Sequence, residues 1–283
     1  MRLLLIFLLF PVLALADCRE TAVANQSCID TDKLYIQLGM GLGHRSNPLA
    51  GGRNLPYWLL PDLSYYSKHW FFDNSTLGYS FELTPAWQLS MVTRLNEEKG
   101  YFQRAHASNL LNRFMVSNAE MVGPNMRNQP RLPLSIKDVK TRPTALDAGL
   151  QLDWFLPQLQ LRANWWHDVS AKYQGQHASL TLQKGWQQGQ AHWQLSSALY
   201  WKSADLMRTY YGVDEVGDEM SYYRPGDSWQ PELKLMVSYP ITQQWVGLVF
   251  YRYRWLDNAM TDSPLVQENN IRGWFIGLSY QFF

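Results

Sequence analysis

Apolar side chains recur at every second position in stretches of about ten residues, from residue 33 to the end of the chain. In the first stretch, Leu34, Ile36 and Leu38 alternate with polar or glycine positions, and residues 146–154 and 233–239 repeat the pattern. Successive side chains of a β-strand point to opposite faces, so this spacing predicts strands with one apolar and one polar face. A helix would instead show an apolar period of about 3.6 residues. We therefore expect an all-β fold.

The alternation predicts twelve strands. They lie at residues 34–43, 60–66, 68–73, 75–83, 86–95, 144–156, 158–167, 176–186, 190–202, 230–239, 245–256 and 271–283. The second to fourth are short and crowded with aromatic residues near Pro61, so ten strands is the alternative. An even number of strands would place both ends of a barrel on the same side of the membrane.

The connections between the predicted strands are of two lengths. The short ones are residues 83–87, 155–158, 187–190 and 240–244, and the long ones are residues 45–59, 96–143, 168–176, 203–229 and 257–270. Short turns at one end and long loops at the other are typical of a transmembrane antiparallel β-barrel, with periplasmic turns and extracellular loops. We predict such a barrel over residues 33–283.

Aromatic residues cluster at both ends of the predicted strands. Beside the short turns lie Trp87, Trp154, Trp186 and Trp245, and near the long loops lie Trp165, Trp201, Tyr253 and Trp255. Outer-membrane barrels carry such girdles at their two interfaces, whereas a soluble β-sandwich, the alternative fold, gives no reason for them. Alternation also explains how a chain with 13 Trp, 16 Tyr and 12 Phe has a mean hydropathy of −0.31.

The N-terminus has the form of a secretory signal peptide. Arg2 precedes the apolar stretch 3–16, which ends in small residues suited to cleavage after Ala16. We predict that residues 1–16 are removed and that residues 17–32 form a periplasmic N-terminal segment. The expected location is the outer membrane of a Gram-negative bacterium.

The chain contains two cysteines, Cys18 and Cys28, which lie just after the predicted cleavage site. Export to an oxidising compartment favours a disulfide between them. A bacterial lipoprotein signal requires a small residue directly before the cysteine, whereas Asp17 precedes Cys18. We therefore predict a disulfide in a small N-terminal loop.

The last predicted strand ends in an aromatic pattern. Its apolar face carries Trp274, Ile276, Leu278, Tyr280 and Phe282. This pattern is typical of the C-terminal assembly signal of outer-membrane barrels. The partners that it predicts are the barrel assembly machinery and the lipid and lipopolysaccharide of the outer membrane.

The polar face of the predicted strands carries charges of both signs. The acids are Glu82, Asp147, Asp153, Asp168 and Glu232, and the bases are Arg94, Arg162, Lys202, Lys234, Arg252 and Arg254. Unpaired charges inside a narrow barrel are costly, so these groups are expected to form ion pairs. Apolar side chains such as Trp166, Leu248 and Phe250 are also predicted to point inward. A packed lumen is therefore expected, and a narrow selective pore is the alternative.

The sequence contains no motif that indicates catalysis. Of the six histidines, the pairing of His167 with Asp168, across a loop from His177, is the main candidate for a hydrolytic site. Neither a Cys/His metal spacing nor a Gly-rich phosphate loop occurs, and a net charge of +1 provides no field for nucleic acid. We predict no enzymatic activity, no cofactor, no metal and no nucleic-acid partner.

The two longest predicted loops differ in charge. Residues 96–143 carry eight Lys or Arg and four Asp or Glu, whereas residues 203–229 are rich in acids. Loops of opposite sign are expected to pack over each other as a lid. The alternative is that the arginines of the basic loop bind lipopolysaccharide phosphates. Residues 110–115 are expected to form a short helix that enters the barrel mouth.

Several segments resemble the MipA/OmpV family of outer-membrane proteins. They are LGYSFEL at 77–83, TRPTALDAGL at 141–150, YYGV at 210–213, YRPG at 223–226, DSPLV at 262–266 and GLSYQF at 277–282. The resemblance implies an outer-membrane barrel that scaffolds murein-remodelling enzymes, namely a lytic transglycosylase and a penicillin-binding protein, or a structural envelope protein. The alternative functions are a narrow permeability pore and an adhesion protein. Residues 96–140 are longer and more basic than the resemblance implies.

Overall fold

One closed antiparallel sheet dominates the computed structural model, which describes residues 31–103, 109, 135–136, 141–213 and 222–282. Its strands are β1 (Lys33–Arg45), β2 (Leu55–Pro56), β3 (Leu59–Tyr66), β4 (Trp70–Asp73), β5 (Thr76–Thr84), β6 (Trp87–Leu95), β7 (Leu146–Leu156), β8 (Leu159–Asp168), β9 (Gln176–Gln188), β10 (Ala191–Lys202), β11 (Ser228–Pro240), β12 (Trp245–Trp255) and β13 (Asn270–Gln281). In the described parts of the long loops, the helices are α1 (Lys99–Phe102), α2 (Ala204–Tyr211) and α3 (Asn258–Thr261).

Twelve of the strands close into a ring. Consecutive strands of the ring pair, and β13 returns to β1 along a register from Gln37↔Gln281 to Arg45↔Gly273. The two-residue β2 pairs only with the end of β1. The predicted barrel of twelve strands is therefore confirmed, and the ten-strand alternative is wrong. Within the described residues, no helix is long and apolar enough to cross a membrane.

The short strands near Pro61 are held by the turn between β4 and β5. Asn74 adopts a left-handed conformation there, with φ of 54°, which asparagine tolerates better than most residues. Its side-chain Nδ2 donates to Asp62 at 3.1 Å and to Asp73 at 3.0 Å, and its backbone N–H donates to the Leu63 carbonyl. Asn74 thus ties a four-residue strand to its neighbour, which explains why the alternation there is weak.

The outward face of the barrel is apolar and ends in aromatic pairs. Leu42, Met91 and Ile276 are among its exposed side chains, as expected for a surface that faces lipid. The contacting aromatic pairs are Trp87–Trp154, Trp186–Trp193 and Trp245–Tyr280 near the short turns, and Trp201–Trp229 and Tyr253–Trp255 near the long loops. The two ends of the strands are therefore marked by aromatic rings.

The inward face changes along the strands from buried to half-exposed. On β11, Glu232 and Lys234 are buried, whereas Met236 and Ser238, which lie nearer the short turn, are half-exposed. β8 and β12 change in the same direction. The lumen is therefore closed toward the long loops and open toward the short turns.

One side of the lumen is filled by apolar side chains. This cluster consists of Tyr57, Leu60, Leu248, Phe250 and Phe275. The rings of Phe250 and Phe275 stack with centroids 5.7 Å apart. A Cβ on Gly41 or Gly277 would lie within 2.8 Å of the Phe275 ring, so these glycines make the space that the ring occupies.

Candidate functional site

The long loops form a lid over the mouth of the barrel. Their buried side chains make one apolar cluster, which consists of Leu49, Tyr101, Ala145, Tyr173, Leu206, Met207, Tyr210, Tyr211, Val213, Leu256, Met260, Leu265 and Ile271. Every long connection contributes at least one of these residues. Burying so many aromatic and aliphatic side chains together stabilises the closed arrangement of the loops. We call this cluster the lid core.

Helix α2 supplies the centre of the lid core. Its apolar residues Leu206, Met207, Tyr210 and Tyr211 are buried, and their spacing places them on one face of a helix. Asp205 and Arg208 lie on the other face and pair with each other at 3.2 Å. The sequence of α2 therefore directs one side of the helix into the mouth.

The two longest loops meet in the lid through hydrogen bonds. Arg142 donates to the Gly212 carbonyl at 2.7 Å, and the Tyr210 hydroxyl donates to the Pro143 carbonyl at 3.1 Å. The described parts of these loops therefore pack together. The helix predicted at residues 110–115 lies outside the described residues. Helix α1, with Tyr101 and Phe102, packs in the mouth.

Glu98 connects the lid to the barrel wall. Its Oε1 lies 2.7 Å from the Nζ of Lys202 on β10, and the Tyr211 hydroxyl donates to its Oε2. Burial alone would raise the pKa of Glu98, but the Lys202 ammonium, the Tyr211 hydrogen bond and the Arg254 guanidinium outweigh it, so the pKa is lowered. Glu98 is therefore an ionised anchor of the lid.

Asp147 on β7 makes a second link between the wall and the loops. Its carboxylate accepts hydrogen bonds from Asn96 at 2.7 Å and from the Tyr173 hydroxyl at 2.6 Å. His177 on β9 lies 2.9 Å away through its Nε2. Asp147 is fully buried, so these partners supply the polar contacts that replace water.

Two further carboxylates, Asp153 and Glu232, each accept several hydrogen bonds inside the lumen. Asp153 accepts from Arg162 at 2.6 Å, and Gln151 and Gln160 donate to it as well. Glu232 accepts from the Nε atoms of Arg252 and Arg254, each at 2.6 Å. These pairs fill polar parts of the lumen, and Arg252 follows the apolar Leu248 and Phe250 along the inward face of β12.

The remaining predicted lumen charges lie in different surroundings. Arg94 pairs with Glu97 at 2.8 Å and lies over the ring of Trp166. Lys234 is buried, with its Nζ 5.5 Å from the centroid of the Phe250 ring. Glu82 is on the inward register of β5 but is exposed near the short turn. The predicted charges therefore differ in burial and in partners, although five of the cations border the same cavity.

His167 and Asp168, the pair considered for a hydrolytic site, lie on opposite faces of β8. His167 lies on the outward register of β8 and stacks on Trp165. Asp168 accepts hydrogen bonds from the backbone N–H groups of Tyr173 and Gln174, so it holds the loop between β8 and β9. No group of three or more potential metal ligands occurs among the described residues.

Several residues of the site are not apparent from the alternation. Arg45 lies at the end of β1, two residues beyond the predicted strand, where it bonds Asn109 at 2.6 Å. Glu98, Tyr173 and Tyr211 come from loops, whose folding the alternation does not describe. The inward register of β1 includes Arg45, so a longer prediction for that strand would have found it.

A cavity of about 110 Å³ lies between the lid and the polar side of the lumen. Glu98 and Tyr101 border it at the lid, and Arg162 and Gln183 border it farther toward the short turns. Arg162 is about one-third exposed, at 32% of its side chain. The cavity is therefore accessible from the open end of the lumen.

The other predicted sites lie at the ends of the chain. Of the assembly-signal residues, Ile276, Leu278 and Phe282 are exposed on the outward face, whereas Trp274 packs against the apolar cluster of the lumen. Tyr280 contacts Trp245. Their role in assembly stays a prediction. Cys18 and Cys28, and the predicted signal peptide, lie outside the described residues.

The strands of the barrel lie in the part of the chain that matches a known family. A family model described as MltA-interacting protein MipA matches residues 38–282. The chain belongs to the MipA family. The match runs from within β1 to just beyond β13, so it covers nearly the whole ring of this MipA-family chain. The chain is a β-barrel of the Gram-negative outer membrane.

Individual relatives match shorter parts of this MipA-family chain. The MltA-interacting protein of Escherichia coli (strain K12) is 33% identical over 85 residues, which are 29% of this chain and 34% of that protein. The outer membrane protein Omp26La of Vibrio anguillarum is 24% identical over 152 residues, which are 52% of this chain and 58% of that protein. The match thus spans about a third of the length of the Escherichia coli relative.

Among solved structures, the NanC porin is similar, with 14% identity and a TM-score of 0.40 over 88% of this chain and 99% of that one.

Proposed function

We propose that this MipA-family barrel is a non-enzymatic scaffold, or structural envelope protein, that holds murein-remodelling enzymes at the outer membrane. The first proposed partner is a lytic transglycosylase, because matched relatives in Escherichia coli and Shigella flexneri are named MltA-interacting protein. Short turns of outer-membrane barrels face the periplasm, which is the compartment that contains murein. The proposed contact surface is therefore the short-turn end, together with residues 17–32.

The observation that carries this proposal is the closed mouth. The lid core fills the long-loop end with buried apolar side chains, and Glu98 anchors it to Lys202. A barrel closed in this way is poorly suited to passing solutes, so its accessible surfaces become the better candidates for function. At the short-turn end, the side chain of Ile241 is 54% exposed in the turn between β11 and β12.

The test is a pull-down of a purified lytic transglycosylase by the full mature protein in detergent. We expect binding that is lost when residues 17–32 are deleted or when the short turns are exchanged for unrelated turns. The single substitution Ile241→Ser is expected to weaken binding several-fold, because exposed apolar anchors contribute strongly to interfaces.

The matched control is Val169→Ser, because Val169 is also 54% exposed but lies in the loop that follows β8, at the opposite end. It is expected to leave binding unchanged. Equal binding by the deletion, the turn exchanges and both single variants would contradict the scaffold proposal. Heat-modifiable gel mobility verifies that each variant is a folded barrel.

Further partners belong to the same proposal. A penicillin-binding protein is expected to join through the bound transglycosylase or through the same end, which a pull-down with and without the transglycosylase distinguishes. The barrel assembly machinery is expected to act on the outward residues of β13, and outer-membrane lipid and lipopolysaccharide are expected to surround the apolar wall.

A narrow pore is the second candidate, because the lumen retains a cavity lined by several cations. Planar-bilayer recording of the refolded protein tests it directly. The scaffold proposal predicts no stable channels, whereas steady anion-selective conductance would favour the pore.

A further inference from the structure

The cavity of about 110 Å³ in the lumen, described above, has a strongly cationic lining. Six cationic side chains border it, from five different strands: Arg45, Arg94, Arg162, Lys202, Arg252 and Arg254. Because they converge from several sides of the barrel, an occupant of the cavity would have positive charge around it.

The carboxylates that pair with these cations are fewer than the cations. Four acids pair with them in the described residues, namely Glu97, Glu98, Asp153 and Glu232. Glu232 is shared by Arg252 and Arg254, and the hydrogen bond of Arg45 goes to the neutral amide of Asn109. Among the described residues, the six cations therefore outnumber their four partner acids by two, and an anion would compensate this excess.

Two of the arginines that border the cavity pack against aromatic rings. Arg94 lies 4.4 Å from the centroid of the Trp166 ring, and Arg254 lies 3.9 Å from that of Tyr200. Packing against a ring restricts the motion of a guanidinium group. Planar N–H edges match the paired oxygens of a carboxylate or a phosphate.

Neutral polar side chains complete the lining. Asn164, Ser179, Thr181 and Gln183 border the cavity on β8 and β9. Amide and hydroxyl groups can bond the hydroxyl groups of a small polar ligand. An apolar ligand would leave these groups unsatisfied, at a cost in affinity.

The access route and the size limit the ligand. The lid closes the cavity at Glu98 and Tyr101, whereas the inward residues of β8 near the short turn are half-exposed. Because a cavity needs about 10 to 15 Å³ of such space to hold one water, this cavity has room for several waters or for a small polar group in their place. We propose that it binds a small oxyanion, a carboxylate or phosphate group, which enters from the short-turn end.

The test is titration calorimetry on the refolded full-length protein in detergent, at low salt. The probes are inorganic phosphate, D-glucuronate and uncharged D-glucose. We expect saturable binding of at least one of the two anions and none of glucose, with affinity at least five-fold weaker in 0.5 M NaCl. Binding of glucuronate alone identifies a sugar carboxylate as the source of the anion, and binding of phosphate alone identifies a phosphate. Absence of binding by both anions, or equal binding of glucose, would overturn the proposal.

The variant Arg162→Gln tests the site itself. Asp153 would keep the amide donors of Gln151 and Gln160, so the fold should tolerate the change. We expect at least ten-fold weaker anion binding, and Arg162→Lys should restore it to within about three-fold. Lys184→Gln removes an exposed cation from the outward register of β9 and is expected to bind as the wild type does.

Occlusion provides a test that leaves every charge in place. Thr181→Trp introduces a bulky ring at a half-exposed position that borders the cavity. It is expected to abolish anion binding while the heat-modifiable gel mobility stays that of a folded barrel. Unchanged binding in both Thr181→Trp and Arg162→Gln would place the anion elsewhere and overturn the proposal.

Discussion

The two ends of the lumen are built from the same strands but differ in how they are filled. At the long-loop end, inward side chains such as Gln230 and Glu232 are buried beneath the lid core. At the short-turn end, inward residues such as Gln183 and Ser238 are half-exposed. The strands contribute an alternating face at both ends, so the difference arises from the loops. Closure in this barrel is therefore a property of loop packing, not of the wall.

Removing an aromatic side chain from the lid core is expected to have the largest effect on the closure of the long-loop end. Tyr211→Ala would delete a fully buried aromatic side chain and the hydroxyl that donates to Glu98. Such truncations cost about 3 to 5 kcal/mol. We expect the lid to open, with protease cleavage in residues 203–227 becoming much faster while the barrel stays folded.

The control for this prediction is Tyr222→Ala in the same loop, because Tyr222 is exposed. Cleavage of that variant should match the wild type. If Tyr211→Ala were as resistant as Tyr222→Ala, the lid core would not be what holds the mouth closed.

A smaller loss of closure is expected from Glu98→Gln. The substitution leaves the buried ammonium of Lys202 without its carboxylate, and breaking a buried ion pair costs about 3 kcal/mol. The neighbouring Glu97→Gln removes a pair in which the glutamate is 46% exposed, and such pairs contribute less than about 1 kcal/mol. Protease resistance of the lid should therefore fall much more for residue 98 than for residue 97. Equal losses would show that burial does not distinguish the two pairs.

Acid is expected to weaken the same contact without a substitution. The pKa of Glu98 in the closed lid lies below its ordinary value of 4.5. A group whose pKa is lowered by closure stabilises the closed form above the ordinary pKa, and this stabilisation is lost as the pH falls through the lowered value. Lid protection in the wild type should thus be constant from pH 7 to about pH 5 and fall below about pH 4.5. The pH dependence should be absent from Glu98→Gln, and a similar fall in that variant would assign the effect to another group.

The smallest effect is expected at the open end. Glu82 is exposed near the short turn, so Glu82→Gln should change the free energy of unfolding by less than about 0.5 kcal/mol. Urea unfolding of the barrel measures it. A loss comparable with that of Glu98→Gln would mean that the open end is as tightly packed as the mouth.

The alternation predicts the wall well because lipid and lumen each select one class of side chain. The long strands and the inward register of Arg252 and Arg254 follow from period two alone. The lid does not follow from it, since Glu98 and Tyr211 belong to segments that are far apart in the chain and meet in the folded barrel. The alternation also does not predict the turn at Asn74, because that turn is fixed by contacts with β3.

The most direct test of a lumen closed at one end is the reactivity of a single thiol inside it. Thr181→Cys, in a background with Cys18→Ser and Cys28→Ser, places the thiol at the half-exposed lining of the cavity. A bulky, membrane-impermeant maleimide should fail to label it in intact cells and should label it quickly once the periplasmic side is opened. Adding Tyr211→Ala should permit labelling from outside. Equal labelling of the single-thiol protein from both sides, with the lid intact, would contradict the account.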